Sequence, residues 1–161
     1  MPVTLPPNGT RGSEMPGFAR RLMKSGMGVS HFMFGLLGDR MKIQGRPLLM
    51  IKTVGAKTGK ERQTVVARFE DPGHPGSWLV VGSAGGSARN PSWCYNLAKN
   101  SDQVWITVAK EVHKARPESL KGVERDEAWK RIVSIAPGFG KYDTTTDRQM
   151  PIIRLTPETK G

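Results

Sequence analysis

The feature that most constrains the fold is a pair of strand-like runs joined by a short glycine-rich turn. Residues 48–54 read LLMIKTV and residues 62–69 read RQTVVARF, and both are rich in the apolar and β-branched side chains that favour extended backbone. The turn between them, GAKTGKER at residues 55–62, has two glycines that tolerate backbone conformations closed to other residues. The pattern predicts an antiparallel hairpin within a small β domain.

Further segments repeat the extended pattern, with helices between them. Residues 78–83, 103–109, 112–115 and 152–155 predict strands, the third as the antiparallel neighbour of the second. Residues 90–99 predict a helix capped by Asn90, with Pro91 at its first position. Residues 124–135 predict another helix, acidic in its first half and basic later. The whole predicts a mainly β domain with flanking helices, of the α+β class, arranged as a small barrel.

The 161 residues suffice for one such domain, and composition divides the chain into three parts. Residues 1–14 predict a flexible basic arm, because prolines and glycines interrupt any apolar period. Residues 15–40 predict an amphipathic helical lead-in with basic side chains between its apolar positions, and residues 41–161 form the barrel. The lead-in fits either a helix over one mouth of the barrel or peripheral contact with an anionic membrane.

Charge is the second constraint, because 25 Lys and Arg against 14 Asp and Glu leave a net charge of +11. Residues 1–62 hold 11 of the basic side chains against 3 acidic ones. Such an uneven excess favours an anionic partner, whether a nucleic acid, a membrane surface or a polyanionic small molecule. No apolar run is long enough to cross a bilayer, no signal peptide is recognisable and one cysteine forms no internal disulfide. We therefore expect a cytoplasmic protein, with the inner face of the cell membrane as a further location.

The turn at residues 55–62 is the first candidate binding site. Backbone N–H groups of a glycine turn can converge on an anion, and Lys57, Lys60 and Arg62 add charge and a guanidinium fork suited to phosphate or carboxylate. The turn is not a Walker A loop, because three residues rather than four separate its glycines and Glu61 follows the lysine. An ordinary basic hairpin and an anion site both fit the pattern.

A second glycine-rich turn, VGSAGG at residues 81–86, leads into the helix that begins with NPSWCYN. A helix N-terminus attracts negative charge, but the glycine spacing is not that of a dinucleotide fingerprint, and Ser83 is not in a nucleophile elbow. The three histidines are scattered without metal-ligand spacing, and no paired carboxylates are evident. We therefore expect no metal, and an enzyme built on this chain would take its chemistry from a cofactor.

Four blocks of this sequence together resemble the deazaflavin-dependent nitroreductase family, split β-barrel proteins of actinobacteria that bind coenzyme F420, an 8-hydroxy-5-deazaflavin. The blocks are LLMIKTVGAKTGKERQTVV, WLVVGSAGGSARNPSWCYNLAKN, APGFGKY and TDRQMPIIRL, and they lie in this order within residues 46–156. The second block is the most specific of them. The resemblance implies a split β-barrel of the FMN-binding or pyridoxamine oxidase type, with a cofactor groove beside it.

The resemblance also implies which residues contact the cofactor. Lys57 and Arg62 would bind its phosphate and polyglutamate tail, the backbone of residues 82–84 would lie near the ring, and Phe139 would close over the ring as an apolar lid. The implied contacts are Lys57, Thr58, Arg62, Gln63, Thr64, Val65, Val66, Val81, Gly82, Ser83, Ala84, Ser92, Trp93, Cys94, Tyr95, Asn96 and Phe139.

The implied activity is an F420H2-dependent reductase that transfers a hydride to an apolar electrophile such as a quinone or an activated enone. Ser83 and Tyr142 are the candidate catalytic residues, as donors to the accepting oxygen. Nitro compounds are a further substrate class, but members that activate nitroimidazoles have tyrosines at the positions of Ala136 and Phe139, so we expect weak activity on them.

Two alternatives stay open at this point. A protein of the same fold could carry F420 or a lipid without turning over a substrate. A nucleic-acid-binding barrel would also fit the net charge and the four tryptophans. The basic residues lie mainly in one turn and the N-terminal part rather than along a strand face between aromatics, so we expect no nucleic-acid partner. The sequence leaves the oligomeric state open.

Overall fold

The computed structural model describes residues 3–12, 42–43, 46–83 and 87–158. Within these residues, strands in antiparallel pairs form one curved sheet. The strands are β1 (Lys42–Ile43), β2 (Arg46–Val54), β3 (Glu61–Ala67), β4 (Phe69–Glu70), β5 (Trp78–Val81), β6 (Trp105–Val108), β7 (Glu111–Ser119) and β8 (Ile152–Pro157).

The order of the strands makes the sheet an open barrel. They follow one another as β1-β2-β6-β7-β8-β5-β4, and β3 pairs with β2 outside this path. β7 pairs with β6 through residues 111–114 and with β8 through residues 115–119, so the sheet turns where β7 changes partner. β3 also lies close to β5, but no ladder between them is present in the described residues. The barrel is therefore split between β3 and β5.

Helices cover both faces of the sheet. They are α1 (Ser92–Lys99), α2 (Gly122–Ile135), a 3-10 helix (Pro137–Lys141) and α3 (Tyr142–Thr145). Alternate side chains of β2 enter two hydrophobic clusters, as expected for a strand covered on both faces. Leu48 enters the first cluster, to which α2 and the 3-10 helix contribute, and Leu49 enters the second, to which α1 contributes.

The predicted elements and the mainly β class with flanking helices are confirmed, with two local differences. The strand predicted at residues 62–69 is interrupted at Arg68, which separates β3 from β4. The prediction that Asn90 caps α1 is wrong, because Pro91 is at the N-cap position and no side chain caps the helix. Asn90 is buried, and its amide instead donates to the carbonyl of Pro6 at 2.7 Å and accepts from Arg148 at 2.8 Å.

Residues 3–12, which the sequence predicts to be part of a flexible arm, lie against the barrel. Val3 is 6% exposed within the second cluster, and the Thr4 N–H donates to Ser119 Oγ at 2.9 Å. Further along, the Thr10 N–H donates to Asp147 Oδ1 at 2.8 Å. These partners are more than 100 residues away in the chain, so local composition does not disclose them. The predicted lead-in at residues 15–40 lies outside the described residues, and none of the described helices is long and apolar enough to cross a membrane.

Candidate functional site

The turn between β2 and β3 is closed by its own backbone and by one side chain. The Gly55 N–H donates to Lys60 O at 2.8 Å, and the Gly59 N–H donates to Gly55 O at 2.9 Å. Gly59 has a φ of 68°, which favours glycine. Thr58 Oγ1 accepts from the Lys60 N–H at 3.2 Å. Thr58, an implied cofactor contact, thus already uses its hydroxyl to shape the turn.

Basic side chains surround this turn without carboxylate partners. Lys57, Lys60 and Arg62 are exposed, and in the described part of the chain no carboxylate lies within 4.0 Å of their charged groups. A fourth cation, Lys99 at the end of α1, donates from Nζ to Ala56 O at 2.8 Å. Sequence reasoning missed Lys99, because its approach to the turn depends on how α1 packs. Unpaired cations that lie together form a site for a polyanion.

Side chains of α1 hold the turn in place. Asn96 is 8% exposed, its Oδ1 accepts from the Ala56 N–H at 2.9 Å, and its Nδ2 donates to Thr53 Oγ1 at 3.2 Å. Asn100 follows the helix and donates from Nδ2 to Val54 O at 3.0 Å. The fold thus brings the two sequence motifs together. Asn96 was expected to contact the cofactor, but its amide bonds within the protein and positions the turn.

The implied cofactor contacts on α1 lie on two different faces of the helix. Trp93 is 7% exposed and Cys94 is fully buried, and burial raises the pKa of the Cys94 thiol far above its ordinary value. A side chain without exposed surface does not reach a bound molecule unless the fold opens. Ser92 and Tyr95 are exposed, and the Tyr95 hydroxyl donates to Asn8 Oδ1 at 3.1 Å. Residues 92–96 therefore present two faces of the helix, and which of them contact the cofactor stays a prediction.

The implied contacts on β3 also divide between two faces. Arg62, Thr64 and Val66 lie opposite the β2 residues that face the second cluster, whereas Gln63 and Val65 share the face of the first. All but Arg62 are half-buried. A ligand on one face of β3 meets one set of side chains, and a ligand at its open edge meets the backbone.

The end of β5 approaches α1 and β8 so closely that it requires glycine. The Gly82 N–H donates to Pro151 O at 2.9 Å, and a Cβ at Gly82 would lie 2.7 Å from Cys94 Sγ and 2.7 Å from a ring carbon of Pro151. Val81, just before it, is buried in the first cluster, and Ser83, just after it, is half-buried. Ala84 lies outside the described residues.

Arg148 fixes this glycine turn from behind, a role that sequence reasoning missed. Its Nη1 donates to Gly82 O at 2.9 Å, its Nη2 to Ser83 O at 2.8 Å and its Nε to Ser87 O at 2.9 Å. The side chain is 4% exposed. The available signal was its place in the fourth block of the family resemblance, since the surrounding residues have no strand or helix period.

Tyr142 and Phe139 lie beside each other in the first cluster. Phe139 is 5% exposed, and its ring makes edge contacts with Phe69 at 5.5 Å and with Tyr142 at 5.6 Å between centroids. In this arrangement the Phe139 ring lies in the core and supports Tyr142, and its role as a lid over the ring stays a prediction. Tyr142 is half-buried, and its hydroxyl has no partner among the residues that the structure describes. The Thr146 N–H donates to Tyr142 O at 3.1 Å, and Thr146 Oγ1 accepts from the Arg148 N–H at 3.1 Å.

A split barrel with unpaired cations at one turn and a fixed glycine turn at another strand end has the features of a barrel that binds an anionic redox cofactor. A family model described as F420H(2)-dependent quinone reductase matches residues 34–157. The chain therefore belongs to the F420H2-dependent quinone reductase family. An F420H(2)-dependent quinone reductase of Mycobacterium tuberculosis is 31% identical over 125 residues, which cover 76% of this chain and 80% of the relative.

Solved structures agree with this assignment. An F420H2-dependent reductase, FDR-A, has a TM-score of 0.59 and 33% identity, and the match covers 68% of this chain and 94% of that one. A chain described as a domain-swapped dimer has a TM-score of 0.61 and 28% identity, and the match covers 85% and 98% of the two chains. The protein is thus an oxidoreductase, and its cofactor is coenzyme F420.

Proposed function

We propose that this protein transfers a hydride from reduced F420 to quinones and to activated enones, with nitro compounds as poorer substrates. The observation that carries this proposal is the cluster of basic side chains at the β2–β3 turn, for which the described residues provide no carboxylate partner. The turn lies at one end of β3, the strand that borders the split of the barrel. The other border, β5, ends in the glycine turn that Arg148 fixes.

The donor set of the turn fits the anionic tail of the cofactor. Lys57, Lys60, Arg62 and Lys99 can bind its phosphate and carboxylates, and Asn96 keeps the turn in the shape that presents them. Among the described residues these basic side chains form no ion pair with a carboxylate. No ion pair there therefore has to break when an anion binds. The ring would then lie along the split, near the Gly82 and Ser83 backbone.

Reduction of a quinone to a hydroquinone takes up one hydride and one proton, and reduced F420, when bound, would supply the hydride. Ser83 Oγ and the Tyr142 hydroxyl have no hydrogen-bond partner among the described residues, so either can donate to the accepting oxygen. A hydroxyl that gives its proton away regains one from water. Phe139 and the first cluster hold the Tyr142 ring, which limits the positions of its hydroxyl.

The test is binding and turnover with the purified protein. We expect it to quench the fluorescence of F420, and to oxidise F420H2 faster when menadione or cyclohexenone is added. Tyr142→Phe and Ser83→Ala should each lower kcat, by about 10²-fold for the main donor. Tyr95→Phe is the matched control, because Tyr95 is the other tyrosine of the chain and its hydroxyl contacts Asn8.

Two results would contradict the proposal. Binding of F420 without turnover of any acceptor would indicate a carrier. Tight binding of flavin mononucleotide with no response to F420 would indicate a different cofactor.

A further inference from the structure

Arg148 carries a buried charge that has no counter-ion in the described part of the chain. Among the described residues its guanidinium bonds to the three carbonyls of Gly82, Ser83 and Ser87 and to Asn90 Oδ1, the last at 2.8 Å. All four acceptors are neutral, and among the described residues no carboxylate lies within 4.0 Å of its nitrogens. Burial lowers the pKa of Arg148 from its ordinary value, but a guanidinium remains protonated in a protein. The site therefore holds a full positive charge that neutral groups only solvate.

The hydrogen bonds of Arg148 determine where the next backbone donor points. A trans peptide directs its C=O and N–H in opposite directions, so the Ser83 N–H points away from Arg148, which binds Gly82 O. The Gly82 N–H bonds to Pro151 next to β8. Because successive N–H groups of extended backbone point to opposite sides, we infer that the Ser83 N–H faces the other side of β5, where β3 lies across the split. This N–H has no acceptor among the residues that the structure describes. A cation bound to the carbonyl of a peptide also polarises its N–H.

We propose that Arg148 is a positioning residue that makes the Gly82–Ser83 turn an electropositive donor and thereby favours the anionic form of the deazaflavin ring. The inference rests on the proposed function, which puts the ring beside this turn. Arg148 acts here in two separable ways. Its fork of donors fixes the backbone, and its charge biases the site toward an anion.

Two titratable groups near Arg148, Cys94 and Asp147, keep a constant charge in the neutral range. Cys94 of α1 stays a thiol, because burial raises its pKa. Asp147 stays ionised, because hydrogen bonds from Thr10 and Arg11 lower its pKa to about 2. The remaining neighbour, Tyr95 of α1, is exposed, and its hydroxyl donates to Asn8. A change in the ionisation of a bound ring in this range therefore reports on the ring.

The experiment separates the charge of Arg148 from its geometry. Asn90→Asp introduces a carboxylate beside the guanidinium, so it cancels the charge while the donors keep an acceptor of the same shape. Asn90→Ala is the matched control, because it loses the same bond to Pro6 without adding a charge. Arg148→Lys keeps the charge without the fork, and Arg148→Met removes both. The readouts are amide exchange of residues 78–90 in the cofactor-free protein, F420 affinity, and the pKa of the bound ring hydroxyl from its visible absorbance.

We expect the native protein to bind the ring with a hydroxyl pKa below that of free F420. Asn90→Asp should raise this bound pKa by about one unit, a tenfold loss of preference for the anion, and leave amide exchange near that of Asn90→Ala. Arg148→Lys should keep the low bound pKa but speed exchange at residues 82–83. Arg148→Met should lose both properties, and if it does not fold, the comparison of Asn90→Asp with Asn90→Ala still decides.

The inference is overturned if Asn90→Asp binds F420 with the affinity and ring pKa of the native protein. It is also overturned if Asn90→Ala shifts the ring pKa as far as Asn90→Asp does. These results require that the native protein binds F420. A native protein that does not bind F420 refutes the proposed function itself, so the two failures are distinguishable.

Discussion

Arg148 and Arg154 are six positions apart and equally buried, but their surroundings differ in charge. Each residue is 4% exposed. Arg154 contacts three carboxylates, those of Asp71 at 2.5 Å, Glu118 at 2.6 Å and Glu124 at 3.2 Å, and so ties β8 to β7, to α2 and to the loop after β4. Arg148, within the part of the chain that the structure describes, contacts neutral oxygens instead. Arg154 therefore stabilises the fold as the centre of a charge-balanced cluster. Arg148 instead places a positive charge, without a carboxylate partner in the described residues, beside the candidate ring site.

The two pKa shifts have the directions that this difference requires. Burial alone lowers the pKa of either guanidinium, because it disfavours the charged form. For Arg148 burial prevails and its pKa is lowered. For Arg154 the burial effect is outweighed by the hydrogen bonds and charges of Asp71 and Glu124, and its pKa is raised. The environment of Arg154 therefore favours the cation, whereas that of Arg148 tolerates it.

The largest effect is expected from Arg154→Met. It leaves the Asp71 carboxylate, which is buried, without its arginine, and breaking a buried ion pair costs about 3–5 kcal/mol of unfolding free energy. Urea denaturation measures this loss. Lys52→Met is the control, because it breaks a half-exposed pair with Glu61 and a cation–π contact with Trp105, and it should cost only about 1 kcal/mol.

F420 affinity tests the other half of the comparison. Folded Arg154→Met should bind F420 as the native protein does, because none of its three carboxylate partners belongs to the Gly82–Ser83 turn. If this variant also raises the pKa of the bound ring hydroxyl, the different roles assigned to Arg148 and Arg154 are refuted.

A smaller loss of stability is expected from a substitution at Gly9, where the N-terminal segment packs against Arg148. A Cβ at Gly9 would lie 2.5 Å from Asp147 Oδ1 and 3.0 Å from both the Cβ and the backbone nitrogen of Arg148. Gly9→Ala should therefore push residues 8–11 outward and cost about 1–3 kcal/mol, as overpacking does. Thermal unfolding measures the cost, and amide exchange at residues 9–11 locates it. Gly73→Ala, where the nearest atom is 4.0 Å from the new Cβ, is the control and should change neither.

The contrast between these arginines also shows what the sequence discloses. Strands such as β2 and helices such as α2 follow from local patterns of apolar and β-branched residues, and the structure confirms them. The Arg154 site and the Arg148 site both depend on partners from distant parts of the chain, and no local pattern carries that information. Asn90 illustrates the limit, because a residue suited to capping a helix has a buried long-range role instead.

Site residues are predictable to a similar degree. The residue types of the β2–β3 turn, glycines and basic side chains, indicate an anion site. The family resemblance then predicts which cofactor binds there. Which side of an element a residue occupies is harder to infer, as Trp93 and Phe139 show, because both match family contact positions but are buried in the core. Residues that act through others, such as Asn96 and Arg148, have no sequence signature of their own.

High salt should weaken the contribution of the exposed basic residues of the turn to F420 affinity, but not the contribution of buried Arg148. Lys57→Ala and Arg62→Ala should each weaken F420 binding about tenfold at low ionic strength, because both side chains are exposed and have charge as their main contribution. At about 1 M salt the native affinity should fall towards theirs, since the screening length shrinks to about 3 Å. Fluorescence titrations at several salt concentrations measure both effects, with exposed Lys130→Ala as the control.

The effect of Asn90→Asp should persist at high salt, because the charge that it cancels is buried. Equal salt dependence of the turn variants and of Asn90→Asp would mean that Arg148 acts through solvent like a surface lysine.

The smallest effect is expected at acid pH, in the attachment of residues 9–11 to Asp147, next to Arg148. Asp147 accepts from the Thr10 hydroxyl at 2.6 Å, and from the N–H groups of Arg11 at 3.1 Å and Thr10 at 2.8 Å; these bonds lower its pKa from 3.8 to about 2. A lowered pKa in the folded protein stabilises the attachment above the ordinary value, and this contribution is lost as pH falls towards about 2. The Thr10 and Arg11 amide signals in NMR spectra should therefore stay constant down to about pH 4 and shift between about pH 4 and 2.

Asp147→Asn provides the control for this titration, because its neutral amide should shift the same two signals at all pH values and remove the transition. The Arg154 cluster lies elsewhere in the fold, so the Arg154→Met variant should show the native transition at Thr10 if it remains folded. A midpoint near the ordinary aspartate value of 3.8 would contradict the hydrogen bonds to Asp147. Such a midpoint would mean that residues 9–11 are held by the packing of Gly9 against Arg148 and not by the Asp147 carboxylate.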